Sequence, residues 1–476
     1  CISCNKGCTD AIQNRQFLSC VLNAENGYEN TRSIQPAAQK KKIAVLGGGP
    51  AGLEAARVAA LRGHDVTLFE KTTTLGGQLN IACVPPRKEE MRRAAQDLIH
   101  AVCNAGVHLC MGQTRTAEQL KDAGFEAVIN AVGAHSAAPR IPGIDSVNVA
   151  DAWKVLAGEQ QVYGTVAVIG GGNVAVDCAR TAVRFGAEAV SMVCLESRDT
   201  MPASKDEIAE AEEEHIEIHT GWGPKELLQD ESGHVTAVVF KKCLRTIDPE
   251  TGKFAPVYDE AETITLPADH VVFAIGQAIE WGGLLKDTKV TFHRGNYPVA
   301  DPLTYQTAEA DIFVGGDVYH GPKFVIDAIE EGKCAAESLH RYVHKGASLT
   351  IGRNRRDFVM LDKENFSVNC YDHATRQTEA VDPAVEAHSF RDARKTLTSE
   401  QVQTETARCL GCGASWVDPN KCIGCGVCTT KCVFDAIHLK RDHPECSTMM
   451  KAEDKLKGIA SMAGKRLGET LRGRKD

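Results

Sequence analysis

Eleven of the nineteen cysteines crowd into two short stretches, one before residue 21 and one between Cys409 and Cys446. The first reads Cys1-x2-Cys4-x3-Cys8-x11-Cys20, with three of its four thiols inside eight residues. Soft ligands at that density suit a [4Fe–4S] cluster or zinc, and the spacing leaves the choice open. The second stretch holds Cys422-x2-Cys425-x2-Cys428-x3-Cys432, a run suited to [4Fe–4S] ligation. Cys409, Cys412 and Cys446 are candidate further ligands. Seven thiolates cannot fill eight positions, so a second C-terminal cluster would need one non-cysteine ligand; the alternatives are a structural pair at Cys409 and Cys412 and a free thiol at Cys446. The other eight cysteines are scattered singly. Two tight groups flanking a large body read as metal ligation in a reducing compartment, the cytoplasm, rather than as a disulfide framework.

A second chemistry is written in glycines. The run from Lys41 to Leu46 predicts a strand; it leads into Gly47-Gly48-Gly49-Pro50-Ala51-Gly52 and then into a helix marked by Leu53, Ala56, Val58 and Leu61. Gly47 permits the tight turn, Gly49 lets the backbone approach a pyrophosphate, and Gly52 lets helix pack closely on strand, while the free N–H groups and dipole of the helix hold the phosphates. Glu70 ends the next strand eighteen residues beyond Gly52, placed to accept hydrogen bonds from a ribose. The pattern recurs at Val166–Ile169, Gly170-Gly171-Gly172-Asn173-Val174-Ala175, a helix to Phe185, and a strand from Ala189 to Glu196. Here Ala175 takes the place of the third glycine, and Glu196 is the acid. A carboxylate there pairs with a free 2′-hydroxyl and repels a 2′-phosphate, which favours NADH over NADPH, although Arg198 stands two residues on. Two such units imply two dinucleotides, most simply FAD and a nicotinamide. Ala131-Val132-Gly133 and Ala274-Ile275-Gly276 each follow an apolar strand, where backbone must pass close to a dinucleotide, and Gly315-Gly316-Asp317 offers Asp317 to a flavin's ribityl chain.

These groups need a scaffold, and 476 residues allow about three globular units. The expected organisation is a cluster segment at 1–36, a first FAD-binding part at 37–155, a nicotinamide-binding unit at 156–290 and a second FAD-binding part at 291–345. A connecting arm (346–400), a ferredoxin-like unit (401–446) and a basic terminal helix (447–476) follow. The fold class is α/β, two Rossmann-like units with the second inserted in the first. Further strands are expected near Val235–Lys241, His270–Ile275 and Ile312–Asp317, and a helix from Phe324 to Val343. A net charge of −9 argues against nucleic acid, and no apolar run is long enough for a membrane span. No signal peptide is visible, and the opening on Cys1 inside a motif suggests a fragmentary N-terminus. The tail from Ser447 carries an excess of four positive charges, suited either to solvent or to an acidic partner. His64 is expected at the surface, and His320 in a structural role or near the flavin.

The blocks Gly47–Gly52, Gly76-Gly77-Gln78-Leu79, Gly170–Arg180, Met201-Pro202-Ala203 and Gly315–Asp317 make residues 37–345 resemble the two-dinucleotide flavoprotein reductases, in the branch of the glutamate synthase small subunit and 2,4-dienoyl-CoA reductase. That resemblance implies FAD on Gly47, Gly49, Ala51, Gly52, Glu70, Gly77, Gln78, Gly133, Gly316 and Asp317. It implies the nicotinamide dinucleotide on Gly170, Gly172, Asn173, Val174, Glu196 and Gly276. NADPH-using members carry arginines where this chain has Cys194-Leu195-Glu196, and the middle unit lacks a C-x-x-C pair, which makes dithiol chemistry unexpected. Cys1 to Cys20, followed by Val21-Leu22-Asn23, is similar to the cluster motif of the iron–sulfur members of the old yellow enzyme family, where it follows an FMN-bearing barrel. Cys422–Cys432 with Phe434-Asp435-Ala436-Ile437 resembles the bacterial ferredoxins, with Val433 in place of proline. The resemblance implies NADH-dependent electron relay through FAD to two or three [4Fe–4S] clusters. Its end point would be an enoate or enoyl thioester at an FMN barrel upstream. The alternatives are an electron-transfer subunit serving ferredoxin or a separate redox partner, and a non-enzymatic cluster-bearing scaffold or sensor; an oligomer is compatible with each.

Overall fold

The computed structural model describes residues 1–13, 18–27, 29, 33–353, 375–381, 385, 388–390, 392–408, 426–431, 437–440, 459–460 and 463. The chain divides into two compact units, Cys1–Val402 and Gln403–Asp476.

The first unit opens with a π-helical turn at Lys6–Asp10 that runs into a short helix α1 (Ala11–Gln13). Next comes a five-stranded parallel sheet in the order β15-β4-β1-β2-β3, built from β1 (Lys42–Leu46), β2 (Asp65–Glu70), β3 (His108–Met111), β4 (Ala127–Asn130) and the late strand β15 (Ile312–Val314). Four of the five β1 residues are buried, as expected of a strand covered on both faces. Alternation sorts its side chains. Ile43 and Val45 pack with Leu68, Ile129 and Phe313 beneath α2 (Pro50–Leu61) and α10 (Val325–Tyr342), while Ala44 and Leu46 face Phe69, Leu120, Leu285 and Val290. Close packing of the two helices depends on Gly332, where a Cβ would lie 2.1 Å from the Ala51 carbonyl oxygen. Between β2 and β4 lie α3 (Leu79–Ala82), α4 (Glu90–Asn104) and α5 (Ala117–Asp122).

The second sheet is also parallel, in the order β6-β13-β7-β8-β9: β6 (Val149–Asp151), β7 (Gly164–Ile169), β8 (Ala187–Cys194), β9 (Glu217–Thr220) and β13 (His270–Phe273). One face carries α6 (Ala152–Leu156), α7 (Asn173–Arg184) and α8 (Lys205–Glu213). The other is covered by an antiparallel sheet of β10 (Trp222–Gln229), β11 (Val235–Ile247) and β12 (Phe254–Pro267), whose Leu227, Val238 and Phe240 meet Ala167, Ile169 and Phe273. The chain crosses between the two parallel sheets through β5 (His135–Ser136) and back through β14 (Gln277–Ala278), and these pair with each other. After β15 comes a single turn, α9 (Asp317–His320). The expected α/β architecture with one Rossmann-like unit inserted in another is therefore present, and the helix expected over 324–343 is α10.

One expectation fails: His64 is buried rather than at the surface. Its Nδ1 accepts from the Lys41 N–H at 3.3 Å, and its Nε2 lies 3.0 Å from Nδ1 of His340, at the end of α10. Burial pushes both imidazoles down to about 4. His344 completes the group. Because His64 Nδ1 accepts from Lys41, its proton sits on Nε2 and is shared with His340, so these two rings form a hydrogen-bonded couple, with Arg62 buried nearby. In the second unit, Gly426 (φ +79°) precedes a short helix, Val427–Lys431. Of the expected terminal helix only residues 459, 460 and 463 are described, and about half of the connecting arm, chiefly residues 354–374, lies outside the described residues.

Candidate functional site

The carboxyl end of β1 turns through Gly47 at φ +102°, where a Cβ would stand 2.2 Å from the Ala131 carbonyl oxygen. A Cβ on Gly52 would stand 1.9 Å from the Gly47 oxygen. By contrast, nothing lies within 4 Å of the Cβ direction of Gly49, the N-cap of α2, which has no side-chain cap and begins on Pro50 and Ala51. The result is an open cradle at a helix N-terminus of the kind that fits a pyrophosphate. Glu70 bridges the turn: the Gly48 N–H donates to its Oε2 at 2.7 Å, and the Thr72 N–H and hydroxyl donate to its Oε1 at 2.8 Å. Beside it is a cavity of about 230 Å³ walled by Phe69, Glu70, Gln113, Val132 and Trp281, room for a purine and ribose. Gly133 likewise has open space where a Cβ would be.

The block Gly76 to Leu79 folds onto this cradle. The Gly76 N–H donates to the Gly48 carbonyl at 2.8 Å, and Gly77 (φ +55°) sits against Gly49. Gln78 then donates to Asp317 Oδ2 at 2.9 Å and accepts from Gln277 Nε2 at 3.0 Å, tying three distant segments together. Burial pushes the Asp317 carboxyl up to about 6, against the pull of Gln78. Gly316 (φ +79°) donates its N–H to Glu331 Oε2 at 2.7 Å, and Glu331 Oε1 lies 2.5 Å from His320 Nδ1. His320 thus pairs with α10 while standing next to the Asp317 turn. Gln277 and Glu331 escape sequence reading because neither sits in a motif; only the fold brings them to the glycines. Two fully buried amide atoms of Asn130, at the end of β4, and Oε1 of Gln277 have no partner within the protein, which fits a site completed by a ligand.

The second cradle repeats the first. Gly170 packs against the Ala274 oxygen, Gly172 caps α7 without a side-chain cap and faces open space, and Val174 is exposed at the helix start. The side-chain Oδ1 of Asn173 accepts from the Ser204 N–H at 2.9 Å. Glu196 folds back over the turn, its Oε2 2.9 Å from where a Gly171 Cβ would be, whereas Arg198 pairs outward with Glu212 at 2.6 Å. Gly276 lies exposed past β13. Burial drives the Cys178 thiol well up and Cys194 to about 12, so neither offers a thiolate, and no disulfide forms among the described residues.

The two sheets are clamped by charge. Lys88, in the segment before α4, reaches Asp177 of α7 at 2.6 Å and Glu207 of α8 at 2.9 Å; the neighbouring Arg87 pairs with Glu210. Burial pulls Lys88 down, but the two carboxylates outweigh it and hold it above its ordinary value. Burial likewise pushes Asp177 up to about 6, in spite of Lys88.

Of the N-terminal cysteines, Cys1 and Cys4 are exposed and Cys8 and Cys20 half-buried. The Ser19 N–H donates to the Gly7 carbonyl at 2.6 Å, which brings the chain back so that Cys20 follows close on the Cys8 turn. Cys428 is exposed on the short helix of the second unit; Cys409, Cys412, Cys422, Cys425, Cys432 and Cys446 lie outside the described residues.

Comparison with known proteins agrees with this geometry. Residues 41–332 match the pyridine nucleotide-disulphide oxidoreductase family, and residues 415–438 match the 4Fe-4S binding domain. The chain is similar to bilirubin reductase of Mediterraneibacter gnavus, 43% identical over 58% of this chain and 40% of that one. It is also similar to the NADP(+)-dependent formate dehydrogenase subunit beta of Moorella thermoacetica, 31% identical over 81% of this chain and 56% of that one. The chain therefore spans about half the length of these relatives. Among solved structures, a 2-naphthoyl-CoA reductase shares the fold at a TM-score of 0.55 and 23% identity, over 71% of this chain and 46% of that one. With two dinucleotide cradles in one family-matched body and a ferredoxin-type run behind it, the chain belongs to the pyridine nucleotide-disulphide oxidoreductase family and is an FAD-dependent, nicotinamide-linked oxidoreductase bearing an iron–sulfur motif.

Proposed function

We propose that this chain takes electrons from NADH at FAD and hands them one at a time to [4Fe–4S] clusters held by Cys1, Cys4, Cys8 and Cys20 and by Cys422, Cys425, Cys428 and Cys432. The observation that carries the reading is the Gln277–Gln78–Asp317 chain, which couples the exit strand of the second cradle to the floor of the first. Bound FAD would accept a hydride and release its electrons singly. The residues hold and orient: Gly49, Ala51 and Gly77 would lie against the pyrophosphate, while Gly47, whose N–H donates to the Phe69 carbonyl, and Gly52 make the turn and let α2 pack closely. Glu70 takes the adenosine ribose, Gln78 and Asp317 the ribityl end, and Gly133 and Gly316 leave room for the dinucleotide. Gly172, Asn173 and Val174 would seat NADH at the start of α7, with Gly170 making the turn, its N–H held by the Val193 carbonyl, and Gly276 leaving room for the dinucleotide.

Glu196 and Arg198 support NADH over NADPH. The carboxylate occupies the turn, and the guanidinium that would meet a 2′-phosphate is engaged with Glu212. Cys409, Cys412 and Cys446 stand as reserve ligands for a third cluster. The similarity to bilirubin reductase favours delivery to an organic acceptor, and the resemblance of Cys1–Cys20 to the old yellow enzyme cluster motif favours an enoate or enoyl thioester in a separate FMN-bearing part. The similarity to a formate dehydrogenase subunit favours the second reading, an electron-transfer subunit.

Anaerobically reconstituted chain should show rapid bleaching of flavin absorbance with NADH, slower bleaching with NADPH, and cluster signals in electron paramagnetic resonance. Cys4→Ser should remove the signal of one cluster and leave flavin bleaching and the remaining signal intact. Absence of flavin bleaching by either nicotinamide would overturn the reading, as would an unchanged set of cluster signals in Cys4→Ser.

A further inference from the structure

The cysteine-bearing N-terminal segment is fastened to the first sheet's helices by buried and half-buried charges. Lys333 in the middle of α10 is only 3% exposed, and Glu54 on α2 only 1%. A buried ammonium needs partners. Partners for Lys333 include the segment: it donates to the Ala24 carbonyl oxygen, and its Nζ lies 3.7 Å from Glu25 Oε1. Arg57 on α2 spans the gap, donating to Glu25 at 2.6 Å and to Glu54 at 2.8 and 2.9 Å. Glu25 thus lies against both Arg57 and Lys333, so the seated segment brings a carboxylate to basic groups on each of the two helices. Burial raises the Glu25 carboxyl, yet Arg57 and Lys333 outweigh it and hold it below its ordinary range, the sign of a carboxylate held in a cationic socket.

A second contact lies at the other end of the segment. A Cβ on Gly7 would stand 2.2 Å from Ile326 Cδ1 and 2.7 Å from the Ser19 carbonyl oxygen, so the Cys8 turn rests directly on the first turn of α10. That turn follows Asp317 by a few residues, and α2 starts on the first glycine cradle. The segment is therefore seated on the two helices whose beginnings frame the proposed FAD site.

We propose that Lys333 and Glu25 are positioning residues that lock the Cys1–Cys20 segment onto α2 and α10, and thereby set how fast electrons leave FAD for that segment's cluster, with no part in the NADH half-reaction. The inference rests on the relay proposed above. The step is a one-electron transfer, reduced FAD losing an electron as the cluster gains it.

The test uses the full reconstituted chain, comparing wild type with Glu25→Gln, Lys333→Met and Lys333→Arg. Glu25 is more exposed than Lys333, so its variant reports even where Lys333→Met folds poorly. Three readouts follow NADH addition: flavin bleaching, cluster reduction by freeze-quenched paramagnetic resonance, and amide hydrogen exchange of residues 18–27. Expected are unchanged bleaching, faster exchange confined to the segment, and cluster reduction slowed about tenfold or more as the seated population falls, with Lys333→Arg restoring much of the rate. Wild-type exchange or wild-type cluster reduction in Glu25→Gln overturns the lock, and so does a parallel slowing of flavin bleaching. If wild type itself bleaches its flavin and never reduces that cluster, the relay fails instead.

Discussion

Replacing Lys88 with methionine keeps the length of the side chain and removes the only charge change needed to expose what the inter-sheet clamp costs. Its ammonium lies 2.6 Å from Asp177 and 2.9 Å from Glu207. At an effective dielectric of about 20, each contact carries a gross attraction of about 6 kcal/mol. Removing the lysine also removes its own desolvation penalty, so the net loss should be about 3–5 kcal/mol, the range for stripping one partner from a buried pair. The loss must depend on pH, and the sign follows from Asp177. Burial already holds its carboxyl at about 6 against 3.8 in the unfolded chain. An acid whose folded value lies above its unfolded one costs stability when ionised; that cost is absent below the unfolded value and complete above the folded one. Without Lys88 the folded value climbs further. Lys88→Met should thus be mildly destabilised near pH 4 and increasingly so toward pH 8, while Lys88→Met with Asp177→Asn recovers much of the loss. Urea unfolding followed by circular dichroism across this range is the assay. A destabilisation under about 1 kcal/mol at pH 8, or one that does not grow with pH, refutes the reasoning.

Glu196→Ala should lower the ratio of NADH to NADPH bleaching rates by about tenfold, the worth of one hydrogen bond to a charged group, and Glu212→Ala should lower it less by releasing Arg198. An unchanged ratio in Glu196→Ala refutes the assignment. Gly52→Ala places a methyl 1.9 Å from the Gly47 oxygen and should cost about 1–3 kcal/mol and most of the bound flavin, read as the flavin-to-protein ratio after purification. Asp317 has a folded value of about 6, above 3.8 when unfolded, so its ionisation costs the flavin-free protein about 2–3 kcal/mol as pH rises from 4 to 7. Asp317→Asn should flatten the stability profile over that interval; a profile as steep as wild type counts against it.

What the sequence discloses is what local sterics dictate. Gly47 and Gly52 can be read as required because the turn from β1 into α2 leaves no room for a Cβ, and that turn is built from neighbours in the chain. The same holds for the second cradle at Gly170. His64 is misjudged because its burial depends on His340, 276 residues away, and a lone histidine before a strand carries no sign of that partner. Glu331 looks like one more acid on an amphipathic helix until β15 delivers Gly316 to it. Lys88 and Asp177 sit on segments that flank different sheets, so their pairing is a fact of docking that no periodicity encodes. Charges on opposite sides of an interface are the least legible feature of a chain whose glycines are the most legible.

The pairing of β5 with β14 bears on how such a chain can be remade. Ser136 and Gln277, the points where the chain leaves for the second sheet and returns, face each other across a two-stranded ribbon, so everything between enters and leaves by one doorway. A nicotinamide-binding cassette of this kind has adjacent ends and can be exchanged with two splices, without rethreading its host. The graft would have to bring carboxylates that match Lys88. Compatibility at that clamp, more than any property of the doorway, would decide which modules could be traded between relatives.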